Sequence, residues 1–215
     1  MADFRRLVAV SLLAGLLGGL LLSIMQHYQT LPLILDAEQF ETPDPEHVHD
    51  WHPEDGLQRN LLTLLFNGLT GFGFALLLSA AMYWQGASGC LRGLGWGVAG
   101  YLVFFAAPAL GLPPELPGTD SAALLSRQVW WLFTAAATAA GLSGLFLNKN
   151  RWLQMAGALV LAVPHLIGAP HPDIIHTTAP EDLQHRFALM SAISNAVFWL
   201  ALGALSGWLL PKIKL

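Results

Sequence analysis

The chain has 215 residues, 54% of them hydrophobic and only 11% charged, with a net charge of −4 and a mean hydropathy of +0.53. Soluble domains carry about a quarter charged residues, so this composition excludes an ordinary soluble fold and points to a polytopic membrane protein. The single cysteine, Cys90, excludes an internal disulfide framework or a multi-thiolate metal centre, and no G-x-x-x-x-G-K-[ST] loop equips the chain as an ATPase.

A membrane-spanning helix needs about 20 mostly apolar residues. Six segments qualify in chain order: Leu7–Gln26, Leu61–Trp84, Leu91–Leu112, Leu124–Leu147, Trp152–Gly168 and Phe187–Leu210. The first opens on "FRR", like a signal peptide, but its length and the lack of a following A-x-A site predict a retained helix. The fifth is the shortest and carries Pro164 near its end. The expectation is an all-α bundle of six transmembrane helices forming one integral membrane domain over residues 1–215, with an acidic, histidine-containing loop over 27–58.

Charge placement orients this bundle. With both termini cytoplasmic, Arg5, Arg6, Arg92, Lys149, Arg151, Lys212 and Lys214 fall inside, and only Arg59, Arg127 and Arg186 outside. That follows the positive-inside rule, and omitting the fifth helix worsens the split. Of the acidic residues only Asp3 falls inside, and all eight histidines fall at the outer end. A faint repeat is also present. "EDGLQRN" (54–60), "SRQ" (126–128) and "EDLQHR" (181–186) each precede an even-numbered helix, consistent with three repeated hairpins. The pairs Gly15/Gly19, Gly93/Gly97 and Gly203/Gly207 have the G-x-x-x-G spacing that lets helices approach closely.

Three polar groupings stand out. The first loop contains "EHVHDWH" (46–52), in which His47, His49 and His52 alternate with carboxylates. Imidazole with carboxylate suits borderline divalent ions such as Zn²⁺, Ni²⁺ and Co²⁺, and a Pro-interrupted loop discriminates poorly among them. The same residues also fit a solvated acidic loop with no ligand role. The second grouping is "VPHLIGAPHPDIIH" (163–176), where Pro164 frees the carbonyl of Val160 beside His165, followed by His171 and His176. Free carbonyls plus side-chain ligands at broken helix ends resemble transporter ion sites, the alternative being a helix-ending turn. The third is a stripe of Asn60, Thr63, Asn67 and Thr70, which Thr134, Thr138, Ser191, Ser194 and Asn195 are placed to meet. Interhelical hydrogen bonding explains such a stripe, and so does a hydrophilic path. No acid lies deep in any helix, unlike a typical proton-coupled carrier. Scattered methionines and the lone Cys90 argue against a Cu(I) site.

"PEDGLQRNLLTLLFNGLTGFGFALL", "APALGLPPELPG", "RQVWWLFTAAATAAGL" and "PHLIGAPHP" resemble the CbtA family of predicted cobalt transporter subunits of bacterial membranes. The resemblance runs from "FRRL" to "LGALSGWL", although "HVHDWH" is sparser in histidine than the family pattern. It implies a small single-helix partner with a His-rich tail, CbtB, and metal contact by His47, His49, His52, His165 and His171. The resulting expectation is an inner-membrane subunit for uptake of Co²⁺ or a related divalent ion, with no nucleic-acid partner and no resident cofactor. The outer loop would concentrate the ion, and the Pro–His turn, with His176 beyond it, would pass it into the bundle. A metal sensor or chaperone that never moves the ion is the alternative. The lack of a nucleophile or a general-acid pair at fixed spacing argues against an enzyme.

Overall fold

The computed structural model describes residues 2–40, 56–172 and 177–213, and everything outside a few short connections is helical. Helix α1 covers Ala2–Gln29, α2 Leu31–Glu38, α3 Leu57–Trp84, α4 Cys90–Ala109, α5 Leu124–Leu147, α6 Arg151–Ile167 and α7 Glu181–Leu209. Five of these, α1, α3, α4, α5 and α7, are long and apolar enough to cross a membrane, and α6 is a shorter apolar helix of 17 residues. The apolar cores sit where hydropathy predicts them, but α1, α3 and α7 extend several residues beyond the expected limits. One expectation needs correcting. His27 and the residues after it do not begin a loop, because α1 continues to Gln29 and "LPLILDAE" forms α2. Pro32 in the first turn of α2 suits a helix start. Leu33 and Ala37 bury against Leu116, Ala179 and Leu183. The loop residues His47, His49 and His52, and likewise His176, lie outside the described residues.

Lipid is as apolar as a leucine side chain, so helices in a bilayer gain most from close backbone contact. Glycine supplies that contact in all three main pairings. Helices α1 and α3 meet at Gly15, Gly19, Gly68 and Gly71, where a Cβ on Gly19 would come within 2.8 Å of the Gly68 Cα. Helices α4 and α7 meet at Gly93, Gly97, Gly203 and Gly207, and α5 and α6 at Gly141, Gly144 and Gly157. The expected G-x-x-x-G pairs therefore serve packing. The pairing order differs from three equivalent hairpins: the third long helix packs on the last one, and the fourth packs on the short α6.

Helix α1 also packs on α7, which makes α1, α3 and α7 the centre of the bundle. Their shared core holds Val10, Ala14, Leu22, Ala75, Leu78, Met82, Phe198, Trp199 and Leu202. The α5–α6 hairpin attaches chiefly through α4, at a π-helical turn (Leu102–Ala106) and the residues after it. Pro108, two residues beyond that turn, cannot donate to the Phe104 carbonyl, which is where a regular α-helical ladder would lapse. Phe104 stacks on Trp199 at 5.3 Å and also contacts Phe74 and Trp131, so one ring ties α4 to α3, α5 and α7.

Tertiary bonds define two ends. At one end Arg6 donates to the Leu210 carbonyl, and Gly89 N donates to Gly207 O at 2.8 Å. At the other, Gln184 bridges Leu116 N (3.0 Å) and Pro114 O (2.7 Å), Thr119 pairs with Thr177, and Arg59 meets Glu38 at 2.8 Å. Every described acidic residue except Asp3, and every described histidine, belongs to this second end.

Candidate functional site

A cavity of about 540 Å³ opens at the acidic end between α1, α3 and α7. Asn67 on α3 does not line it but ties together two residues that do. Its Nδ2 donates to Ser23 Oγ at 3.0 Å and to Gln26 Oε1 at 2.6 Å, both on α1. Ser23 in turn donates to the Gly19 carbonyl at 2.9 Å. Across the cavity Ser194 Oγ on α7 donates to Gln29 Oε1 at 3.0 Å, and Asn195 Nδ2 donates to the Ser191 carbonyl. Thr63 lines the same space, its hydroxyl donating to the Arg59 carbonyl. The local reason is periodicity. Ser23 and Gln26 are three residues apart on α1, with Thr30 four further on at the start of α2, Asn60, Thr63 and Asn67 recur at three and four residues on α3, and so do Ser191, Ser194 and Asn195 on α7. Three polar stripes on three mutually packed helices close on one another.

The lining is nearly all neutral. Arg59 is balanced by Glu38 at 2.8 Å, and His27 is the one imidazole among the described lining residues. Its amides and hydroxyls both donate and accept, but they share the lining with Leu20, Ile24, Leu31, Ile34, Leu64 and Phe187, so the space is amphipathic.

Of the stripe expected on α3, Asn60 and Thr63 line the cavity together with Ser191, Ser194 and Asn195, while Asn67 turns to Ser23 and Gln26 of α1. Thr70 is not part of it, because that residue is exposed on the outside of α3. Thr134 and Thr138 are buried on α5 and do not line the cavity. Ser23, Gln26 and Gln29 were not anticipated. Their three-residue spacing at the end of the first apolar segment was the available signal, hidden by the high mean hydropathy around it.

His165 occupies the last turn of α6, exposed, with its ring 6.2 Å from that of Trp130, and Pro164 beside it is buried. His171 is exposed in the segment that follows. Among the described residues no group of three or more His, Cys, Asp or Glu side chains is positioned to hold a metal ion. A larger groove, about 920 Å³, runs between the end of α4, the prolines of 113–117 and the start of α5. It is mainly apolar, and its carboxylate is already engaged: Glu115 accepts from Arg127 at 3.2 Å and from Ser121 at 3.0 Å.

A bundle of long apolar helices, with polar side chains from three of them edging one end-opening vestibule, has the build of a multi-pass membrane protein. More particularly, the chain belongs to the CbtA family, described as a probable cobalt transporter subunit, whose model matches residues 4–211. No curated protein and no solved structure matches it.

Proposed function

We propose that this chain is the membrane subunit through which a bacterial cell takes up a divalent transition-metal ion, with Co²⁺ the ion that the family description favours. In this reading the protein lies in the inner membrane with six crossings and both termini cytoplasmic. The observation that carries it is the coincidence of two features at one end. The acidic residues and histidines gather there, and a cavity edged by amides and hydroxyls from three helices opens there. His47, His49 and His52 in the loop, with His165, His171 and His176 after α6, act as imidazole ligands that collect the ion at the outer surface. The exposure of His165 and His171 supports a capture role. Carboxylates such as Asp36, Glu115, Asp120, Glu181 and Asp182 add an attractive field there, which weakens with salt.

A subunit implies partners. A small single-helix membrane protein with a histidine-rich tail suits the reading, since it would add imidazole ligands at the same surface. Uptake of labelled Co²⁺, Ni²⁺ and Zn²⁺ by a transport-deficient host, with the chain alone or with such a partner, tests the proposal. Accumulation of Co²⁺ above the empty host is expected. Binding at the cell surface without internal accumulation would instead identify a sensor or chaperone.

A further inference from the structure

The larger groove, between the end of α4 and the start of α5, plays no part in capturing a metal ion. We propose that it is a binding site for one phospholipid with an ethanolamine headgroup, its phosphate on Arg127, its ammonium on Glu115 and one acyl chain along the groove. The site rests only on the chain lying in a membrane, and holds whether or not the chain moves metal.

The walls are preformed. Phe104 and Phe105 are adjacent in sequence and both line the groove, from within the π-helical turn of α4. Turns of this kind collect at functional sites. Pro108, Pro113, Pro114 and Pro117 line it as well, and their fixed φ stiffens that stretch of backbone. Gln184 pins the same stretch by its bonds to Leu116 N and Pro114 O. The space of about 920 Å³ lies near the top of the range of roughly 300–1,000 Å³ usual for small-molecule sites. Leu124 and Leu132, on its edge, are 68% and 61% exposed, so the groove opens at the side of the bundle that meets hydrocarbon. An acyl chain enters from the bilayer without crossing a polar surface.

The mouth selects the ligand. Arg127 sits in the first turn of α5, at the level where that apolar span begins. It donates to Glu115 through Nη2 alone, and among the described residues its Nε and Nη1 make no bond. Glu115 accepts from Arg127 and from Ser121 on the same oxygen, Oε2, so Oε1 is likewise unengaged among the described residues. A cation and an anion 3.2 Å apart thus line one groove, each with spare bonding capacity. A guanidinium matches the oxygens of a phosphate, and a carboxylate matches the N–H groups of an ammonium. An ethanolamine phospholipid carries both partners on one headgroup, a short link apart. Phosphatidylglycerol brings no cation for Glu115, and the trimethylated nitrogen of phosphatidylcholine has no N–H to donate. An apolar protein helix would leave both spare groups unmet.

The test places the full chain in nanodiscs of equal parts phosphatidylethanolamine, phosphatidylglycerol and phosphatidylcholine, and counts the lipids it retains by native mass spectrometry. One phosphatidylethanolamine is expected, at least threefold more often than either other lipid. Glu115→Gln should remove that preference while lipid is still retained. Arg127→Gln should lower retention of all three. So should Ala109→Phe, which fills the groove from a lining position and leaves the headgroup pair intact. A second arm needs no variant: in detergent, added phosphatidylethanolamine should raise the melting midpoint of the unmodified chain, and phosphatidylcholine should not. Equal retention of the three lipids, a preference for phosphatidylglycerol, or a preference for phosphatidylethanolamine that survives Glu115→Gln would overturn the proposal. So would a chain that retains no lipid and whose melt no lipid shifts, which would leave the groove to a protein helix.

Discussion

Asn67 makes two hydrogen bonds from one amide to a neighbouring helix, at 2.6 and 3.0 Å. Interhelical bonds of this kind average about 0.6 kcal/mol within membranes and reach about 1.7. Asn67→Ala should therefore destabilise the protein by about 1 to 2 kcal/mol in reversible unfolding from detergent micelles. Thr70→Ala, one turn along and exposed, should stay within about 0.5 kcal/mol of the unmodified protein. Equal stability of the two variants would show that Asn67 is no helix clamp. The histidines call for a different measurement. Changing His47, His49 and His52 together to Ala should raise the metal concentration needed for half-maximal uptake and leave the maximal rate largely intact, because a capture loop acts on local concentration. Imidazole ligates only when neutral, so the unmodified protein should show the same loss of affinity as pH falls below about 6.5. A maximal rate that collapses in the triple variant would place these side chains in the path itself. The polar side chains of α3 and α7 were legible in the sequence because stripes at three- and four-residue spacing need no tertiary knowledge. Ser23, Gln26 and Gln29 were not, because hydropathy averaging merges them with the leucines before them.

Among the elements, the glycines separate packing from mere composition. Gly203 sits against the Gly93 carbonyl, with the Gly97 backbone also within reach of any added Cβ, whereas Gly95 on the same α4 helix has nothing near it. Gly203→Ala must push α4 and α7 apart, while Gly95→Ala meets open space. The first should lower the midpoint of thermal unfolding clearly, by an amount comparable to losing a core contact of about 1 to 3 kcal/mol. The second should be neutral or slightly stabilising, since Ala is the better helix former by up to about 1 kcal/mol. If both behave alike, the α4–α7 contact is not the close backbone crossing described above. Element positions were largely readable from hydropathy, which located all the long helices to within a few residues. The short α2 was missed because its burial comes from Leu116, Ala179 and Leu183, residues distant in sequence. The π-helical turn was also invisible, although Pro108 marked the place where α4 departs from regularity.

At the scale of the whole molecule, parity constrains how the chain crosses the bilayer. Thr119 precedes α5 and Thr177 follows α6, yet the two pair with each other, and Gln184 bonds to Leu116 and Pro114 beside them. Residues so close must lie on one side, so α5 and α6 either both cross or neither does. Helix α5 is long and apolar enough to cross on its own terms. Helix α6, at 17 residues, spans about 25 Å at 1.5 Å per residue, somewhat less than the roughly 30 Å hydrocarbon core. Residues at its ends, such as Trp152, and local thinning of the bilayer readily absorb a mismatch of that size. The charge pattern favours six crossings, because basic residues collect at one end and acids at the other, whereas five helices are long enough to cross by length and composition and α6 is shorter. What the sequence did not contain was the packing order, in which the short α6 is held against α5 by Gly157 at Gly141 and Gly144. Two measurements on the Cys90→Ser background settle the crossing number. Thr119→Cys with Thr177→Cys should form a disulfide on mild oxidation. Single cysteines at Lys149 and Thr177 should then react with an impermeant reagent from opposite faces of sealed vesicles. If Lys149 and Thr177 label from the same face, α6 does not cross, and the histidines after it stand on the wrong side to collect metal for the vestibule.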